Sequence, residues 1–253
     1  MAVNKITGTL FTDIEKLIGV SKASIASVSG ITASTTPAFI TANLRNRYTP
    51  ANYSGTGNLL DEVGNLDMII TGATYSSTAP ANFDSDGIND SIIAPSYTQA
   101  DTDMSWGLWY NPDSQPGGVM INGGYIQVNG QGSISYRASS NTYSYYRGPR
   151  GINNTASNPS YNPSTNAWTY LCWSRNSSTR NIRMWKADVN GVTQLVNITG
   201  TTASASTPNT LAFISPAQSR FNGQHGNFHI YTADLGTADW TQNFNAQKAY
   251  YGL

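Results

Sequence analysis

From residue 47 onward, short apolar and aromatic runs alternate with turn residues at intervals of about 8–12 residues. This spacing is typical of β-sandwiches and barrels, in which short strands turn back beside one another. The dipeptide Asn190-Gly191 separates the runs 184–188 and 192–196. Because Asn-Gly is a favoured two-residue hairpin turn, we predict that these runs pair as a β-hairpin. The chain is therefore predicted to be mainly β.

The remaining strand predictions rest on β-branched and aromatic residues between turn signals. They cover residues 66–71, 90–93, 105–110, 119–121, 125–128, 134–137, 169–175, 211–214 and 226–232. In the run 105–110, Trp106 and Leu108 fall on one face and Trp109 on the other, so both faces of this strand are predicted to be partly covered. The lone cysteine, Cys172, is predicted to be a small buried core residue. Residues 139–166 show little periodicity and are predicted to form long surface loops.

The last residues predict a helix. Thr237 is expected to cap a helix over residues 238–250, which Gly252 ends. Trp240, Phe244 and Tyr251 recur along one side, and we expect that side to pack on the sheet.

The first thirty residues carry a different pattern, apolar-x-x-apolar-x-Gly, three times at eleven-residue spacing. Each unit predicts a single helical turn, too short to fold alone. Ordering it costs roughly 1–2 kcal/mol per residue, while each apolar side chain returns about 1.5–3 kcal/mol only when covered. We therefore expect a partner surface to cover the six repeating side chains, which are Val3, Ile6, Ile14, Leu17, Ile25 and Val28. The predicted organisation is a docking arm over 1–33, a linker over 34–45 and a sandwich domain over 46–253.

Composition argues against several classes of protein. Charged residues make up 11% and the net charge is zero, so no basic stripe is available for nucleic acid. No stretch approaches the eighteen apolar residues of a membrane span, and the N-terminus lacks a signal-peptide pattern. We accordingly expect no nucleic-acid or membrane partner and synthesis in a cytoplasm. A single cysteine rules out an internal disulfide.

Catalytic patterns are weak. A retaining glycosidase needs two nearby carboxylates, yet the two glutamates, Glu15 and Glu62, lie in the arm and in a turn. A nucleophile would need a nearby histidine, and His225 and His229 are both in or beside one predicted strand. We expect a protein that is not an enzyme, with no catalytic residues and no cofactor.

The acidic segment at residues 84–90 allows two interpretations. Asp84, Asp86, Asn89 and Asp90 resemble the start of a calcium loop, but the closing bidentate glutamate is missing. Asp and Asn also stabilise tight turns, with Gly87 supplying a positive φ. The turn is favoured, and a calcium ion on Asp84, Asp86 and Asp90 remains the alternative.

Several landmarks from residue 46 to 253 carry a resemblance to a family. They are Tyr53-Ser-Gly-Thr-Gly57, Asp61-Glu-Val-Gly-Asn65, the segment 83–90, Met104-Ser-Trp-Gly-Leu-Trp109, Phe221-Asn-Gly223, Phe228-His-Ile-Tyr231 and the helix 240–251. Together they resemble the concanavalin A-like, laminin-G type jelly-roll domains of bacteriophage and bacterial surface proteins. The resemblance implies a jelly-roll β-sandwich with a short helical N-terminal arm and a C-terminal helix.

The arm is similar to N-terminal repeats of tailed-phage virion proteins. This resemblance implies a virion structural protein, a capsid decoration or head fibre, anchored by its arm on the capsid or another virion protein and displaying the sandwich at the particle surface. From that role we expect a homo-oligomer, taken to be a trimer.

The alternative is an adhesin that binds surface glycans. Aromatic rings stack on sugar rings, and Asn and Asp hydrogen-bond hydroxyl groups. Five tyrosines lie in or beside the predicted loops, where ligands commonly bind; these are Tyr136, Tyr143, Tyr145, Tyr146 and Tyr161. Tyrosines also line protein interfaces, so composition alone leaves both interpretations open.

Overall fold

The computed structural model describes residues 37–97, 102–113, 164–199 and 222–253, together with strands at 27–28, 31–32, 127–128, 133–137, 142–146, 156–158 and 209–214. The chain divides into two compact units, Met1–Pro37 and Ala38–Leu253. No helix in the described part of the chain has the length and apolar character needed to cross a membrane.

In the first unit the described backbone is a short antiparallel pair, β1 (Ser27–Val28) with β2 (Ile31–Thr32), in which Val28 faces Ile31. The helical turn predicted for the third repeat is therefore wrong at Val28, which is extended. Val and Ile are β-branched and favour strands, and a two-residue connection suits a hairpin. Val3, Ile6, Ile14, Leu17 and Ile25 lie outside the described residues.

The second unit contains a large antiparallel sheet of eight strands. Its order is β15-β14-β13-β8-β17-β6-β5, with β3 also pairing with β17. The strands are β3 (Leu44–Tyr48), β5 (Thr74–Ser76), β6 (Asn82–Asp86), β8 (Met104–Pro112), β13 (Thr169–Arg175), β14 (Asn181–Asp188), β15 (Gly191–Thr199) and β17 (Asn222–Tyr231). The predicted hairpin is confirmed, because β14 and β15 meet at Asp188 and Gly191, whose φ is 89°.

Two smaller sheets complete the β-structure. One has the order β4-β7-β16-β9 and the other β10-β11-β12. Their strands are β4 (Ile69–Thr71), β7 (Ser91–Tyr97), β9 (Gln127–Val128), β10 (Ser133–Arg137), β11 (Thr142–Tyr146), β12 (Ala156–Asn158) and β16 (Asn209–Ile214). The long loops predicted over 139–166 are thus wrong for β11 and β12, where Ser and Thr take the polar positions of an alternating pattern. The strand predicted at 119–121 lies outside the described residues.

An inner core fills the space between the large sheet and the β4–β9 sheet. Met68, directly before β4, and Ile92 of β7 contribute from the side of the smaller sheet. Trp106, Leu108 and Trp173 contribute from the large sheet. All five are at most 3% exposed. Trp106 and Trp173 stack with ring centroids 5.8 Å apart. The sheet pair is therefore a β-sandwich, as the strand spacing predicts.

A second core lies on the other face of the large sheet, under the helix α1 (Thr237–Gln247). Trp109 of β8 packs there with Trp240, Phe244 and Tyr251, as predicted from the spacing of the last three. Both faces of β8 are consequently buried, which confirms the alternation argument. Cys172 is also buried in this core, as predicted.

The N-cap of α1 is Gly236, so the predicted cap at Thr237 is wrong by one residue. The backbone N–H of Gly236 donates to the Asp239 carboxylate at 2.8 Å. The Thr237 hydroxyl accepts instead from the indole N–H of Trp185 at 3.0 Å, a contact that local sequence does not reveal. The helix ends at Gln247, a 3₁₀ turn follows over Lys248–Tyr251, and Gly252 stops it with a φ of 76°.

The segment predicted to be a linker contributes to the second unit from Ala38 onward. Phe39 and Ile40 pack against the core beneath α1. The backbone N–H of Ile40 donates to Asn243 Oδ1 at 2.9 Å, and its carbonyl accepts from the Tyr231 hydroxyl at 3.1 Å. The second unit thus begins ahead of the predicted boundary at residue 46.

Candidate binding site

One face of the large sheet changes from apolar to polar beyond the end of α1. In β6, Phe83 and Ser85 are buried while Asp84 is half-buried and Asp86 is exposed. This alternation places the acidic residues on the side away from the inner core. The face is therefore open to a ligand at this end of the sheet.

Strand register aligns four polar residues across this face. Thr74 of β5 pairs with Asp84 of β6, Asp84 pairs with Gln224 of β17, and Gln224 pairs with Asn111 of β8. Directly paired residues share a face of an antiparallel sheet. Thr74, Asp84, Gln224 and Asn111 therefore form one continuous line, which we call the polar row.

The two amides of the polar row are joined. Asn111 Nδ2 donates a hydrogen bond to Gln224 Oε1 at 2.9 Å. Asn111 Oδ1 is shielded from solvent and has no hydrogen-bond partner among the described residues. Asn111 and Gln224 are each half-buried, so part of the joined amide pair remains available to a ligand.

A cavity of about 290 Å³ adjoins the Thr74–Asp84 end of the polar row. Its walls are Gly72, Thr74, Asp84, Ser85, Asp86, Asp90, Asp113 and Asn222. Pockets for small ligands span about 300–1,000 Å³, so this one matches a single sugar-sized group. Its lining offers hydroxyl, amide and carboxylate oxygens.

The acidic side chains that line the cavity favour ligands that donate hydrogen bonds. Burial, and then the charges of Asp113 and Asp90, raise the pKa of Asp84 above its ordinary value. The charged carboxylate is held in an unfavourable environment that a ligand hydroxyl would improve by donating to it. Asp84 is accordingly a candidate acceptor for a ligand hydroxyl on this face.

The acidic segment itself forms the predicted turn. Asp86 Oδ1 accepts from the backbone N–H groups of Ile88 and Asn89 at 2.7 and 3.4 Å, and Gly87 has a φ of 74°. Asp90 Oδ2 accepts from the Asp86 N–H at 2.9 Å. Within the described residues, no group of three or more His, Cys, Asp and Glu is arranged to hold a metal ion.

An aromatic residue stands at the other end of the polar row. Thr169 pairs with Tyr110, and the Asn166 N–H donates to the Pro112 carbonyl at 2.7 Å, so residues 166–168 run beside 110–112. This places Trp168 beside Asn111. Its half-buried ring contacts that of Tyr251, with centroids 4.8 Å apart. The face thus combines an indole with hydrogen-bonding side chains.

A second cavity, of about 400 Å³, lies between the β14–β15 turn and α1. Val192, Phe244 and Leu253 supply apolar walls, and Asn190, Asn245 and Lys248 supply polar ones. Asp188 at its edge is paired with Lys186 at 2.7 Å. Burial opposes its ionisation, but the hydrogen bond from Lys186 and then those from Asn190 keep the pKa of Asp188 below its ordinary value.

The histidines considered from the sequence are buried in the sheet. Burial lowers the pKa of His225 to about 3 and that of His229 well below its ordinary value, where the charge of Arg47 adds to the effect. Both are therefore neutral at physiological pH. Glu62 is paired with Arg47, Oε2 to Nε, at 3.1 Å.

Two of the five tyrosines considered from the sequence are brought together by backbone register. Tyr136 of β10 is paired with Tyr143 of β11, and Tyr145 follows two residues along β11. Tyr146 falls on the opposite face of that strand. Tyr161 lies outside the described residues.

The polar row itself was missed by sequence reasoning. Part of it could have been predicted from the runs Asn82–Asp86 and Asn222–His225. In each run the first residue and every second residue after it is Asn, Asp or Gln. Nothing local to Thr74 or Asn111 marks either residue.

Comparison with known proteins identifies the fold. No family model matches the chain, and no curated protein matches it. Among solved structures, domain 4 of AbnA, an extracellular arabinanase of family GH43 from Geobacillus stearothermophilus in complex with arabinotriose, superposes with a TM-score of 0.59 at 16% identity, covering 81% of this chain and 98% of that domain.

Two further structures share the architecture. Trypanosoma rangeli sialidase in complex with sialic acid has a TM-score of 0.57 at 11% identity, covering 84% of this chain and 34% of the sialidase. Botulinum neurotoxin type C, whose cell entry depends on interaction with two ganglioside molecules, has a TM-score of 0.58 at 15% identity. The match covers 81% of this chain and 51% of the toxin chain. This chain thus spans about a third of the sialidase and half of the toxin chain. The chain has the β-sandwich fold that these proteins share.

Proposed function

We propose that this chain is a glycan-binding protein and that the polar row with its adjoining cavity holds the sugar. The observation that carries the proposal is the alignment of Asp84, Gln224 and Asn111 on one open face of the sheet. Carboxylate and amide groups accept from and donate to the hydroxyls of a sugar ring. Fixed by strands, they are held in place before the ligand arrives.

Trp168 supplies the apolar half of such a site. A sugar ring has a polar edge and an apolar C–H face, and an indole offers a large flat surface for the latter. Trp168 stands beside Asn111, so one ring stacked on it would reach the paired amides. Among the fold neighbours, the arabinanase domain is in complex with arabinotriose and the sialidase with sialic acid, and cell entry of the toxin depends on gangliosides. These neighbours support this class of ligand.

A glycan array with the full-length protein tests the proposal. The array carries arabinotriose, sialylated glycans, ganglioside headgroups and neutral plant and bacterial polysaccharides. We expect binding that the variant Gln224→Ala weakens by at least about tenfold, since one lost hydrogen-bonding group is worth about 1.4 kcal/mol. Gln194→Ala, an exposed glutamine of β15, is the matched control. Absence of binding to every glycan at high protein concentration would overturn the proposal.

A second candidate function is favoured by the division of the chain after Pro37. Residues 1–37 form a compact unit of their own, as suits an arm that anchors a displayed sandwich on a capsid or other virion protein. Under this hypothesis the protein is made in the host cytoplasm and located at the virion surface.

Deletion of residues 1–37 tests the anchoring role. Particles purified from cells making the full-length chain should show it by electron microscopy, and particles from cells making the shortened chain should not. Equal incorporation of the two chains would contradict anchoring by this segment while leaving glycan binding untouched.

A further inference from the structure

The cavity beside the polar row is walled by acidic side chains from three parts of the chain. Asp84 and Asp86 belong to β6, Asp90 directly precedes β7, and Asp113 directly follows β8. Strand pairing brings them together, since β6 and β8 both pair with β17. The described residues that line the cavity include no Lys, Arg or His. Its walls therefore supply negative charge without a balancing cation.

Only uncharged groups contact these carboxylates. Asp90 Oδ2 accepts from the backbone N–H of Asp86 at 2.9 Å, and Asp86 Oδ1 accepts from that of Ile88 at 2.7 Å. None of the ion pairs within the described part of the chain includes an aspartate of the cavity. Burial and the charges of Asp113 and Asp90 raise the pKa of Asp84. A cation placed in the cavity would relieve this repulsion.

The acidic end of the polar row is open to solvent. Thr74, Asp86 and Asp113 are exposed and Asp84 is half-buried. A ligand can therefore reach three of the four carboxylates without displacing a packed side chain.

The polar row differs in charge between its two ends. At one end the uncharged amides of Asn111 and Gln224 are joined by a hydrogen bond, and at the other Asp84 adjoins the acidic cavity. From Asn111 to Thr74 the row crosses three strand spacings, or about 14 Å. A glycan of more than one ring lying along it would place one ring at the amides and another at the carboxylates.

We propose that the acidic end of the polar row selects a glycan with a free amino group, such as a glucosamine residue without an acetyl group; this rests on the glycan-binding function proposed above. An ammonium group combines a positive charge with three N–H donors, which carboxylates accept strongly. A neutral sugar offers hydroxyl donors alone, and an acidic sugar would add a negative charge to the cavity. The site should therefore reject acidic glycans, although the sialidase that shares the fold is in complex with sialic acid.

The test uses three trisaccharides of the same β-linkage, built from glucosamine, glucose and glucuronic acid, which differ mainly in charge. They are titrated into the full-length protein at low salt and at a slightly acidic pH, where the amine is charged. We expect the glucosamine trimer to bind at least about tenfold more tightly than the glucose trimer, and the glucuronic acid trimer not to bind. In about 0.5 M NaCl the advantage of the glucosamine trimer should shrink severalfold, because salt screens charges at an open site.

Two variants locate the amino group. Asp113→Asn and Asp84→Asn each remove one carboxylate from the cavity with little change of shape. Each should weaken binding of the glucosamine trimer by about tenfold and affect the glucose trimer less. Asp188→Asn, which removes a carboxylate near the opposite edge of the large sheet, is the matched control and should bind like the wild type.

The outcomes separate this proposal from the proposed function. Equal binding of the glucosamine and glucose trimers, or preference for the glucuronic acid trimer, would overturn selection by charge and leave glycan binding at the polar row intact. Unchanged glucosamine binding in both cavity variants, or an equal loss in Asp188→Asn, would show that the amine is not held in the cavity. Binding of other glycans but none of these trimers would overturn the amino-sugar assignment alone. If no glycan binds, both proposals are overturned.

Discussion

The phenol ring of Tyr251 stacks on the indole of Trp109, with ring centroids 4.0 Å apart and ring planes 11° apart. Tyr251 comes from the 3₁₀ turn after α1 and Trp109 from the middle of β8. The Tyr251 hydroxyl accepts a hydrogen bond from the backbone N–H of Asn227 at 2.8 Å. The end of the chain is thereby held against the large sheet, next to Trp168 and the polar row.

We expect Tyr251→Ala to lower the free energy of unfolding by about 3–5 kcal/mol, because it removes a fully packed aromatic ring. Tyr251→Phe keeps the stack and loses only the hydrogen bond, so about 1 kcal/mol is expected. Urea denaturation followed by tryptophan fluorescence measures both. Tyr250→Ala, at a ring 38% exposed, should cost less than Tyr251→Ala, and equal losses would contradict the role of the stack.

Gly107→Ala should destabilise the sandwich strongly. A Cβ at Gly107 would collide with the buried ring and hydroxyl of Tyr170, and neither strand can move without disturbing the second core. Gly236→Ala is the control, since its Cβ would meet no atom closer than 3.7 Å. Thermal melts should show a large fall in Tm for Gly107→Ala and a much smaller one for Gly236→Ala, which loses only a glycine N-cap. Similar Tm values would refute the close packing of Tyr170 on β8.

Stability should fall on acidification below about pH 6.5 because of the buried histidines. Burial lowers the pKa of His225 to about 3, so between these values the unfolded chain binds a proton that the folded chain does not. Each such proton contributes about 1.4 kcal/mol per pH unit in favour of unfolding. His225→Gln should therefore reduce the slope of unfolding free energy against pH from 6.5 to 4. An unchanged slope would mean that His225 is protonated in the folded protein.

Two aspartate variants should change stability in opposite directions at neutral pH and low salt. The pKa of Asp84 is raised by burial, Asp113 and Asp90, so Asp84→Asn removes an unfavourable charge and should raise Tm while weakening glycan binding. The pKa of Asp188 is lowered: burial opposes ionisation, but the hydrogen bonds from Lys186 and Asn190 and the charge of Lys186 together outweigh it. Asp188→Asn should therefore lower Tm. Shifts of the same sign in both variants would contradict this electrostatic account.

A chelator should leave Tm unchanged, because the turn after β6 is closed by its own backbone hydrogen bonds to Asp86 and Asp90. The measurement compares a thermal melt of the protein with excess EDTA against one with added calcium. A rise in Tm with calcium would instead support the ion-binding interpretation of Asp84, Asp86 and Asp90.

The amino-acid sequence by itself determined the class of fold, the β14–β15 hairpin, the two covered faces of β8 and the turn at Asp86. These features depend on periodicity and on residues a few positions apart, which any stretch of chain records directly. Prediction from the sequence was wrong at Val28, at the N-cap Gly236 and in the strands β11 and β12. At these places the local pattern was compatible with more than one structure.

The polar row was decided only by the tertiary structure. Thr74, Asp84, Asn111 and Gln224 come from four segments of the chain, and their alignment depends on which strands are neighbours and in what register. Strand order follows from burying both faces of the large sheet at once, under α1 on one side and the β4–β9 sheet on the other. That is a property of the whole core, since a shift of one residue would move every side chain of a strand to the wrong face.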